Sequence, residues 1–233
     1  MSSRLLLFGG SGRMGQEIIS LLGQNSDQWT LAVSLGREDS LDNVAPESID
    51  MVIDFSSAQV FPEILNWSHN NRKPMVSGTT GLSEKDMALL AKAARDIPLL
   101  WAPNMSLGIA MVAEMMESFA KLTDFDFQVE EFHHRHKMDS PSGTALFLQE
   151  ELVKAVSSEK SKKQSSPVPQ PLSVRGGGIF GVHRVFAMSE NEVITLEHQA
   201  LGRGVFAQGA LKAAEWLKDK GPGQYSMRDV LRS

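Results

Sequence analysis

The sequence predicts an α/β fold with two domains, a doubly wound parallel sheet and a second domain of the α+β type. Over the first hundred residues, short apolar runs alternate with helical patterns, which is typical of parallel βαβ units. After about residue 105, strand patterns are joined mainly by loops, which favours a mixed or antiparallel sheet. We therefore place the first domain at residues 1–105 plus 204–233 and the second at residues 106–203.

The elements of the first domain follow in order from these patterns. Residues 4–8 form an apolar run of the kind found in strands that are buried on both faces. Directly after this run, Met14, Ile18 and Leu22 recur at helical spacing. Further strands are predicted at 31–33, 51–53, 74–76 and 98–101, and further helices at about 59–69 and 84–95.

The second domain has a different rhythm. Residues 125–130 alternate strictly between apolar and polar, as a half-buried strand does. Residues 157–171 are rich in Ser, Lys, Gln and Pro, which indicates a mobile surface loop. We expect the last helix of the chain to return to the first domain. The patterns predict helices at about 108–122, 143–156 and 207–217, and strands at about 181–188 and 192–199.

Composition excludes several classes of function. The chain has 233 residues, 42% of them hydrophobic, and is long enough to bury the core of one large domain or two small ones. Its net charge of −5 disfavours a general role on nucleic acids or membrane surfaces. The absence of cysteine excludes disulfides, thiolate metal sites and thiol nucleophiles. Without a signal peptide pattern or an apolar run near the roughly 18 residues of a membrane span, we expect a cytoplasmic protein.

A glycine-rich segment at residues 9–15 lies between the first strand and the first helix, with the spacing Gly10-x-Gly12-x-x-Gly15. Glycines at such a turn let backbone N–H groups approach a pyrophosphate, and the helix N-terminus adds partial positive charge. An ordinary glycine turn has the same composition. The position at the first strand-to-helix turn of a βαβ array nevertheless favours a dinucleotide site.

Three further turns directly follow predicted strands of the same domain. They begin at Asp54, Gly78 and Ala102 and are rich in small and hydroxyl-bearing residues. Ligands of open α/β sheets bind beyond the carboxyl ends of the strands, so we expect these turns to line the same crevice as residues 9–15. Each turn taken singly would be an ordinary loop. Together they indicate a Rossmann-type dinucleotide-binding domain.

The second domain contains a basic cluster, since residues 133–137 read His-His-Arg-His-Lys in a chain that is acidic overall. Strand parity places Glu131 and His133 on one face of the preceding strand and His134 on the other. Residues 141–144 then begin a helix, whose free N–H groups favour an anion.

Three interpretations of this basic cluster remain open. A solvated basic patch is the ordinary explanation for a run of charges. Three histidines could bind a metal, but Arg135 and Lys137 would repel a cation and no cysteine is available, so we predict no metal. An anion site with a built-in acid suits the composition best, because histidine titrates near neutrality and lysine can bind a carboxylate or donate a proton.

The whole chain resembles the dihydrodipicolinate reductase family. The segment His-His-Arg-His-Lys-x-Asp-x-Pro-Ser-Gly-Thr-Ala at residues 133–145 is nearly diagnostic of that family. The resemblance implies NAD(P)H-dependent reduction of 4-hydroxy-tetrahydrodipicolinate to tetrahydrodipicolinate in lysine and diaminopimelate biosynthesis. It also implies a homotetramer that assembles through the sheet of the second domain. Other matching segments are residues 9–15, 54–56, 78–81, 102–108, 175–183 and 227–231.

The resemblance also implies roles for individual residues. His133 would be a proton donor or acceptor, and Lys137 the proton donor. Expected substrate contacts are His134, Ser142, Gly143, Thr144 and Arg203, the last of which would meet a substrate carboxylate. Expected cofactor contacts are Gly9, Gly10, Ser11, Gly12, Arg13, Met14, Arg37, Gly78, Thr79, Thr80, Ala102, Pro103, Asn104 and Met105.

We expect the enzyme to prefer NADPH and still to use NADH. A protein that selects NADH places a carboxylate about 20 residues beyond the glycine turn, where it holds the ribose 2′-hydroxyl. Gly36 stands near that position and offers no carboxylate, whereas Arg37 can pair with the 2′-phosphate of NADPH. Glu38 and Asp39 are the acids close enough to reverse this preference.

Two other functions compete with the reductase. Another two-domain NAD(P)-dependent dehydrogenase of amino-acid metabolism would leave the basic cluster unexplained. A regulator that binds NAD(P)H without turnover would need no proton donor. We therefore expect a small cyclic dicarboxylate as the partner, and neither nucleic acid nor a membrane.

Overall fold

The computed structural model describes residues 2–24, 28–36, 39–157 and 168–233. The chain divides into two compact units, Met1–Ser106 with Arg203–Ser233 and Leu107–Gly202. Ser106 and Arg203 thus belong to the first unit, although the sequence patterns place them in the second domain. The predicted contact residue Arg37 and most of the predicted loop at 157–171 lie outside the described residues.

The first unit contains a six-stranded sheet. Its sheet order is β10-β5-β4-β3-β1-β2, and each neighbouring pair is parallel. The strand order reverses at β1, so the carboxyl ends of β1 and β3 form the topological switch point where ligands of such sheets bind. The predicted doubly wound parallel sheet is confirmed. The strands are β1 (Ser3–Phe8), β2 (Trp29–Leu35), β3 (Met51–Asp54), β4 (Met75–Ser77), β5 (Pro98–Trp101) and β10 (Gly223–Tyr225).

Helices of the first unit pack in pairs, α1 against α6 and α2 against α3. Such pairs are what a doubly wound sheet needs to cover its two faces. Ser83 and Asp86 form a capping box that fixes the start of α3. The helices are α1 (Arg13–Gln24), α2 (Phe61–Asn70), α3 (Glu84–Ala93), α6 (Gly204–Leu217) and α7 (Met227–Leu231).

The apolar runs of the sequence become the central strands of this sheet. Leu5, Leu6 and Leu7 are successive residues of β1, and all three are fully buried. Because successive side chains point to opposite faces of a strand, β1 is buried on both sides. The run of apolar residues without alternation is explained by this double burial.

The second unit contains a four-stranded mixed sheet with the order β7-β6-β8-β9. β7 is parallel to β6, whereas the β6–β8 and β8–β9 pairs are antiparallel. Phe127, Val129 and Val185 on one face of the sheet form a core with Leu148 and Leu152. The strands are β6 (Asp126–His133), β7 (Leu172–Arg175), β8 (Val182–Met188) and β9 (Val193–Gln199), and the helices are α4 (Leu107–Met116) and α5 (Gly143–Val156).

Two short strands and one helix end differ from the sequence prediction. β7 and β10 have only 4 and 3 residues, too few to show a detectable alternation. α4 ends at Met116 and continues as a 3-10 turn at Glu117–Lys121. There the hydroxyl of Ser118 donates a hydrogen bond to the carbonyl of Met115 at 2.8 Å, which competes with α-helical backbone pairing. Among the described helices, none combines the length and apolar character that crossing a bilayer requires.

Candidate functional site

The glycine turn lies at the carboxyl end of β1, at the switch point of the first sheet. Gly9 has a φ of +81°, a conformation that favours glycine. The N–H groups of Gly9 and Gly10 both donate to the carbonyl of Leu35, at 2.9 and 3.0 Å. A Cβ on Gly15 would lie 2.2 Å from the carbonyl oxygen of Gly9. The start of α1 therefore packs directly on the turn, and no side chain at Gly9 or Gly15 covers the backbone.

A buried carboxylate organises the two neighbouring turns. Asp54, at the end of β3, is fully buried, and its carboxylate accepts hydrogen bonds from the hydroxyls of Ser77 and Thr79 at 2.7 and 2.8 Å. The ring of Phe55 lies against Gly78, where a Cβ would come within 2.3 Å of a ring carbon. These hydrogen bonds and this contact hold the turns after β3 and β4 against each other near the switch point.

The predicted cofactor residues of these turns differ in what they can offer a ligand. Thr79 is buried, and its carbonyl accepts a hydrogen bond from the Trp101 indole N–H at 2.8 Å. Ala102 and Met105 are also buried, and a Cβ on Gly209 would lie 1.8 Å from the Met105 carbonyl oxygen. The predicted contacts that are exposed or half-buried are Gly9, Ser11, Gly12, Arg13, Met14, Gly78, Thr80, Pro103 and Asn104.

An acidic side chain lies at the end of β2, beside the glycine turn. The N–H of Gly36 donates to the Asp39 carboxylate at 2.7 Å. A Cβ on Gly36 would lie 3.1 Å from the Ser11 hydroxyl oxygen and 3.4 Å from the same carboxylate. Asp39, one of the two acids that the sequence analysis names as able to reverse the cofactor preference, is therefore close to the turn.

In the second unit, β6 carries the site residues on its inner face. Phe127 and Val129 enter the core, and Glu131 and His133 continue the same face, as strand parity predicts. Glu131 is fully buried, and His133 is 7% exposed. The Nδ1 atom of His133 is hydrogen-bonded to Glu131 Oε2. The polar residues at the end of β6 are therefore buried on the same face of the strand as its core residues.

Two residues from other elements complete the surroundings of the Glu131 carboxylate. Arg175, on β7, donates through Nη2 to Glu131 Oε1 at 2.7 Å, and the N–H of Ser142 donates to the same oxygen at 3.2 Å. Arg175 Nη2 also donates to the carbonyl of Asp139 at 2.7 Å. The carboxylate thereby joins β6, β7 and the segment that leads into α5.

Burial and charge act against each other in this network. Burial alone would raise the pKa of Glu131, but the hydrogen bond from Arg175 and the nearby His133 hold it below its usual range. Burial lowers the pKa of His133, and the Glu131 carboxylate only partly opposes that effect. Burial, helped by the neighbouring His133, lowers the pKa of His183 to about 3. The carboxylate is therefore ionised near neutral pH, and both imidazoles are uncharged.

At the more exposed end of the site, Lys137 meets the start of α5. Its Nζ donates to the Asp139 carboxylate at 2.8 Å. Partial burial would raise the pKa of Asp139, but Lys137 and the Gly143 N–H lower it. Ser142 is the N-cap residue of α5: its hydroxyl accepts from the Ala145 N–H at 3.2 Å. Lys137 and the N-terminus of α5 thus hold a carboxylate of the chain itself.

Three residues of the second unit have the donor atoms of a metal site. Glu131, His133 and His183 each bring one ligand atom within 4.8 Å of the others. Arg175, however, places a permanent positive charge on the same carboxylate. The arrangement suits a hydrogen-bond network better than a cation.

The remaining predicted substrate residues lie in different surroundings. His134 is half-buried, with its ring centroid 6.3 Å from that of His136. Gly143 is exposed and Thr144 half-buried, both in the first turn of α5. Arg203 is half-buried at the start of α6 and belongs to the first unit.

Sequence reasoning gave no role to several residues that the structure brings into these sites. The two buried carboxylates, Asp54 and Glu131, appear in the sequence only as members of longer segments. Arg175 and His183 lie 44 and 52 positions beyond Glu131 in the chain, and no spacing rule connects them. The strand register does, because Glu131 pairs with Ser173 and with His183 across the sheet.

The fold and the site define a two-domain protein whose N-terminal half is a Rossmann-type nucleotide-binding domain. Models of the N-terminus and the C-terminus of dihydrodipicolinate reductase match residues 3–105 and 108–231. The chain belongs to the dihydrodipicolinate reductase family. The predicted family and fold class are confirmed, and the family's nucleotide-binding domain implies a nicotinamide cofactor.

Individual relatives agree with this assignment. The chain is 46% identical to the 4-hydroxy-tetrahydrodipicolinate reductase of Bdellovibrio bacteriovorus, over 97% of this chain and 94% of the relative. It is 39% identical to that of Zymomonas mobilis, over 99% and 97% of the two chains. The solved structure of a dipicolinate-bound dihydrodipicolinate reductase from Paenisporosarcina sp. TG-14 has the same fold, with a TM-score of 0.78, 20% identity, and coverage of 97% of this chain and 98% of the other.

Proposed function

We infer that the protein catalyses the NAD(P)H-dependent reduction of 4-hydroxy-tetrahydrodipicolinate to tetrahydrodipicolinate in lysine and diaminopimelate biosynthesis. Membership of the dihydrodipicolinate reductase family over both halves of the chain supports this reaction. One observation carries it on physical grounds: Lys137 and the N-terminus of α5 already hold a carboxylate, next to the imidazole of His133. A dicarboxylate substrate needs such a cationic end.

In the proposed reaction, the cofactor supplies the hydride and side chains of the second unit transfer protons. The nicotinamide supplies a hydride when it is bound. The 4-hydroxyl group leaves as water, which gives a C=C bond conjugated with the C=N bond of the ring, and the hydride is added to this system. Lys137 gives the proton that neutralises the electron density arriving in the C=N system, and His133 is the second proton donor or acceptor. Ser142 fixes the start of α5 through its cap. The residues proposed to bind the substrate carboxylates are His134, Gly143, Thr144 and Arg203.

The glycine turn of the first unit fits a dinucleotide. A pyrophosphate needs accessible backbone at a helix N-terminus. Gly9 and Gly15 allow α1 to start directly on the turn, and Gly12, just before α1, is exposed. Thr79, Ala102 and Met105 are buried, so we propose that they shape the turns while exposed or half-buried neighbours contact the cofactor. These neighbours include Ser11, Gly12, Thr80 and Asn104.

For the cofactor preference, we propose that NADPH is favoured and NADH still used. Arg37 is the proposed partner of the 2′-phosphate. Asp39 opposes it, because its carboxylate lies at the end of β2 beside Ser11, where it would repel a phosphate and accept a ribose hydroxyl. The measurement is kcat/KM for both cofactors in wild type, Arg37→Ala and Asp39→Asn. The Arg37 variant should lose NADPH preference and the Asp39 variant should gain it, whereas a wild type that favours NADH would contradict the assignment.

We further propose that the protein is a homotetramer assembled through the outer face of the second sheet. Register places Phe132, Val174 and Phe186 on the face opposite the core, and Leu172 and Val193 of the same face are 56% and 59% exposed. Apolar side chains on an open sheet face favour burial against another sheet. Sedimentation analysis should find a tetramer that Val174→Glu dissociates. A monomeric wild type would contradict the tetramer.

The cytoplasmic location of the protein stays a prediction.

The reaction is tested by coupling the protein to the preceding synthase with aspartate semialdehyde and pyruvate. NADPH should be consumed only when the synthase is present. Consumption of NADPH with aspartate semialdehyde alone would instead identify another dehydrogenase of amino-acid metabolism. NADPH binding without turnover in the full mixture would identify a nucleotide-sensing regulator.

A further inference from the structure

Glu131 is a buried carboxylate to which the proposed chemistry gives no task. Its side chain is fully inaccessible, and it lies beneath the exposed part of the site rather than in it. A buried ionised group is costly unless it is paired and hydrogen-bonded. Here its oxygens accept hydrogen bonds from His133, Arg175 and the Ser142 N–H. These three donors keep the Glu131 carboxylate ionised and fixed in position.

The position of this carboxylate decides which nitrogen of His133 carries the proton. An ionised carboxylate can only accept hydrogen bonds, so the Nδ1 atom that contacts Glu131 must be the protonated nitrogen of the neutral imidazole. The Nε2 atom then holds the lone pair. It faces Gly181, where a Cβ would lie 3.0 Å away, so glycine at this position keeps a side chain from crowding Nε2.

We propose that Glu131 is a positioning residue that holds His133 in its Nδ1–H tautomer, so that His133 meets the substrate as a hydrogen-bond acceptor through Nε2. This inference rests on the proposed function, in which His133 contacts the substrate. The proposal narrows the role of His133 from proton donor or acceptor to acceptor, because a neutral imidazole whose Nε2 carries no proton cannot donate one from that atom. Proton donation then falls to Lys137 alone.

The groups around His133 set the direction of the expected pH effect. Glu131 on β6 is its negative neighbour, Arg175 on β7 and Lys137 after β6 are positive, and His183 on β8 lies edge-on with ring centroids 5.1 Å apart. Glu131 raises the pKa of His133 against the effects of burial and of the two cations. Removing its charge should therefore lower that pKa further, and the acid limb of kcat/KM should move to lower pH.

The tautomer can be measured directly in the wild-type full-length protein. Long-range ¹H–¹⁵N correlation spectra of ¹⁵N-histidine-labelled protein distinguish protonated from unprotonated ring nitrogens, and a His133→Gln spectrum identifies the His133 signals. We expect a protonated Nδ1 and an unprotonated Nε2 near neutral pH. A proton on Nε2, or a fully charged imidazolium at that pH, would overturn the proposal. This experiment needs no substrate, so it decides the tautomer even if the coupled assay shows no turnover.

Kinetics of Glu131→Gln provide the functional test, with Glu150→Gln as the control, since Glu150 is an exposed residue of α5 in the same unit. For Glu131→Gln we expect kcat to fall about 10²-fold, NADPH affinity to be unchanged and the acid limb to shift to lower pH. We expect none of these changes in Glu150→Gln. Wild-type kcat and pH profile in Glu131→Gln would refute the positioning role while leaving the reductase function intact.

A chelator separates the network from a metal site. If Glu131, His133 and His183 held a resident metal ion, dialysis against EDTA would abolish turnover and Zn²⁺ would restore it. That result would overturn the proposal. Turnover that is unchanged after EDTA supports the hydrogen-bonded network.

Discussion

Removal of the Lys137 ammonium tests the proposed proton donor. Lys137 Nζ lies 2.8 Å from the Asp139 carboxylate, and the lysine side chain is 22% exposed. Lys137→Ala removes a proton donor and a partner for a substrate carboxylate. We expect a loss of about 10²–10³-fold in kcat, equivalent to about 3–4 kcal/mol of transition-state stabilisation. The fall in kcat should exceed the rise in KM, because proton delivery matters only during the reaction.

The stability of the protein should hardly change in the same variant. The Asp139 side chain is 57% exposed, and ion pairs with exposed partners contribute about 0–1 kcal/mol. Lys154 forms a similar pair with Glu151 on α5, at 2.7 Å. Lys154→Ala is therefore the matched control, which loses a lysine–carboxylate pair of the same unit outside the site. We expect both variants to keep the wild-type free energy of unfolding within about 1 kcal/mol.

The assay is synthase-coupled turnover at saturating NADPH, combined with urea unfolding of each variant. Lys137→Ala should lose turnover, and Lys154→Ala should retain it. Wild-type kcat in Lys137→Ala would refute the assignment of Lys137 as the donor. Equal losses of turnover and of stability in both variants would show that the effect arises from folding instead of chemistry.

Three further predictions concern other parts of the molecule. Gly15→Ala should weaken NADPH binding by at least about 10-fold, because its Cβ would meet the Gly9 carbonyl at 2.2 Å. Gly23→Ala in the same helix, where a Cβ meets nothing within 4 Å, should leave the Kd for NADPH unchanged and stabilise the protein by about 0.5–1 kcal/mol. Equal Kd values for Gly15→Ala and wild type in calorimetry would contradict the role of Gly15. The buried His183 has a pKa of about 3, so between the unfolded-state value of about 6.5 and pH 3 the unfolded chain binds a proton that the folded chain does not. Stability should therefore decline as pH falls through that window, by up to about 1.4 kcal/mol per pH unit. Urea titrations should show a shallower decline in His183→Asn, and an identical slope would exclude His183 as its cause. Arg203→Ala should raise KM for the dicarboxylate and weaken competitive inhibition by pyridine-2,6-dicarboxylate, since a bidentate pair is lost; equal inhibition of both proteins would remove Arg203 from the site.

The parts of the fold that the sequence predicts are those with long, strong patterns. The apolar run of β1 and the alternation of β6 each reflect how many faces of the strand are buried. The short strands β7 and β10 lack such a pattern. They form because neighbouring strands already present free backbone groups: β7 pairs with the end of β6, and β10 with β5. Their existence depends on tertiary structure that no local window contains.

The same distinction applies to the candidate site. The glycine turn and residues 133–144 are contiguous, so the sequence indicates their chemistry directly. The role of Glu131 becomes evident only from its partners on β7 and β8. Register brings Ser173 and His183 opposite it, and Arg175 reaches its carboxylate from two residues further along β7. Period-2 alternation predicts which face a residue occupies, but it does not predict which residues face it across the sheet.

The alternation of β6 also couples the core of the second unit to its chemistry. Phe127 and Val129 hold the inner face of the strand against the helices, and Glu131 and His133 extend that face. A shift of one residue in the register of β6 would turn every one of these side chains to the opposite face. It would expose the core residues and place His134, instead of His133, on the side of Arg175 and His183. The apolar residues of β6 therefore determine whether Glu131 and His133 face Arg175 and His183, so the position of this pair depends on core packing four to six positions before His133 in the strand.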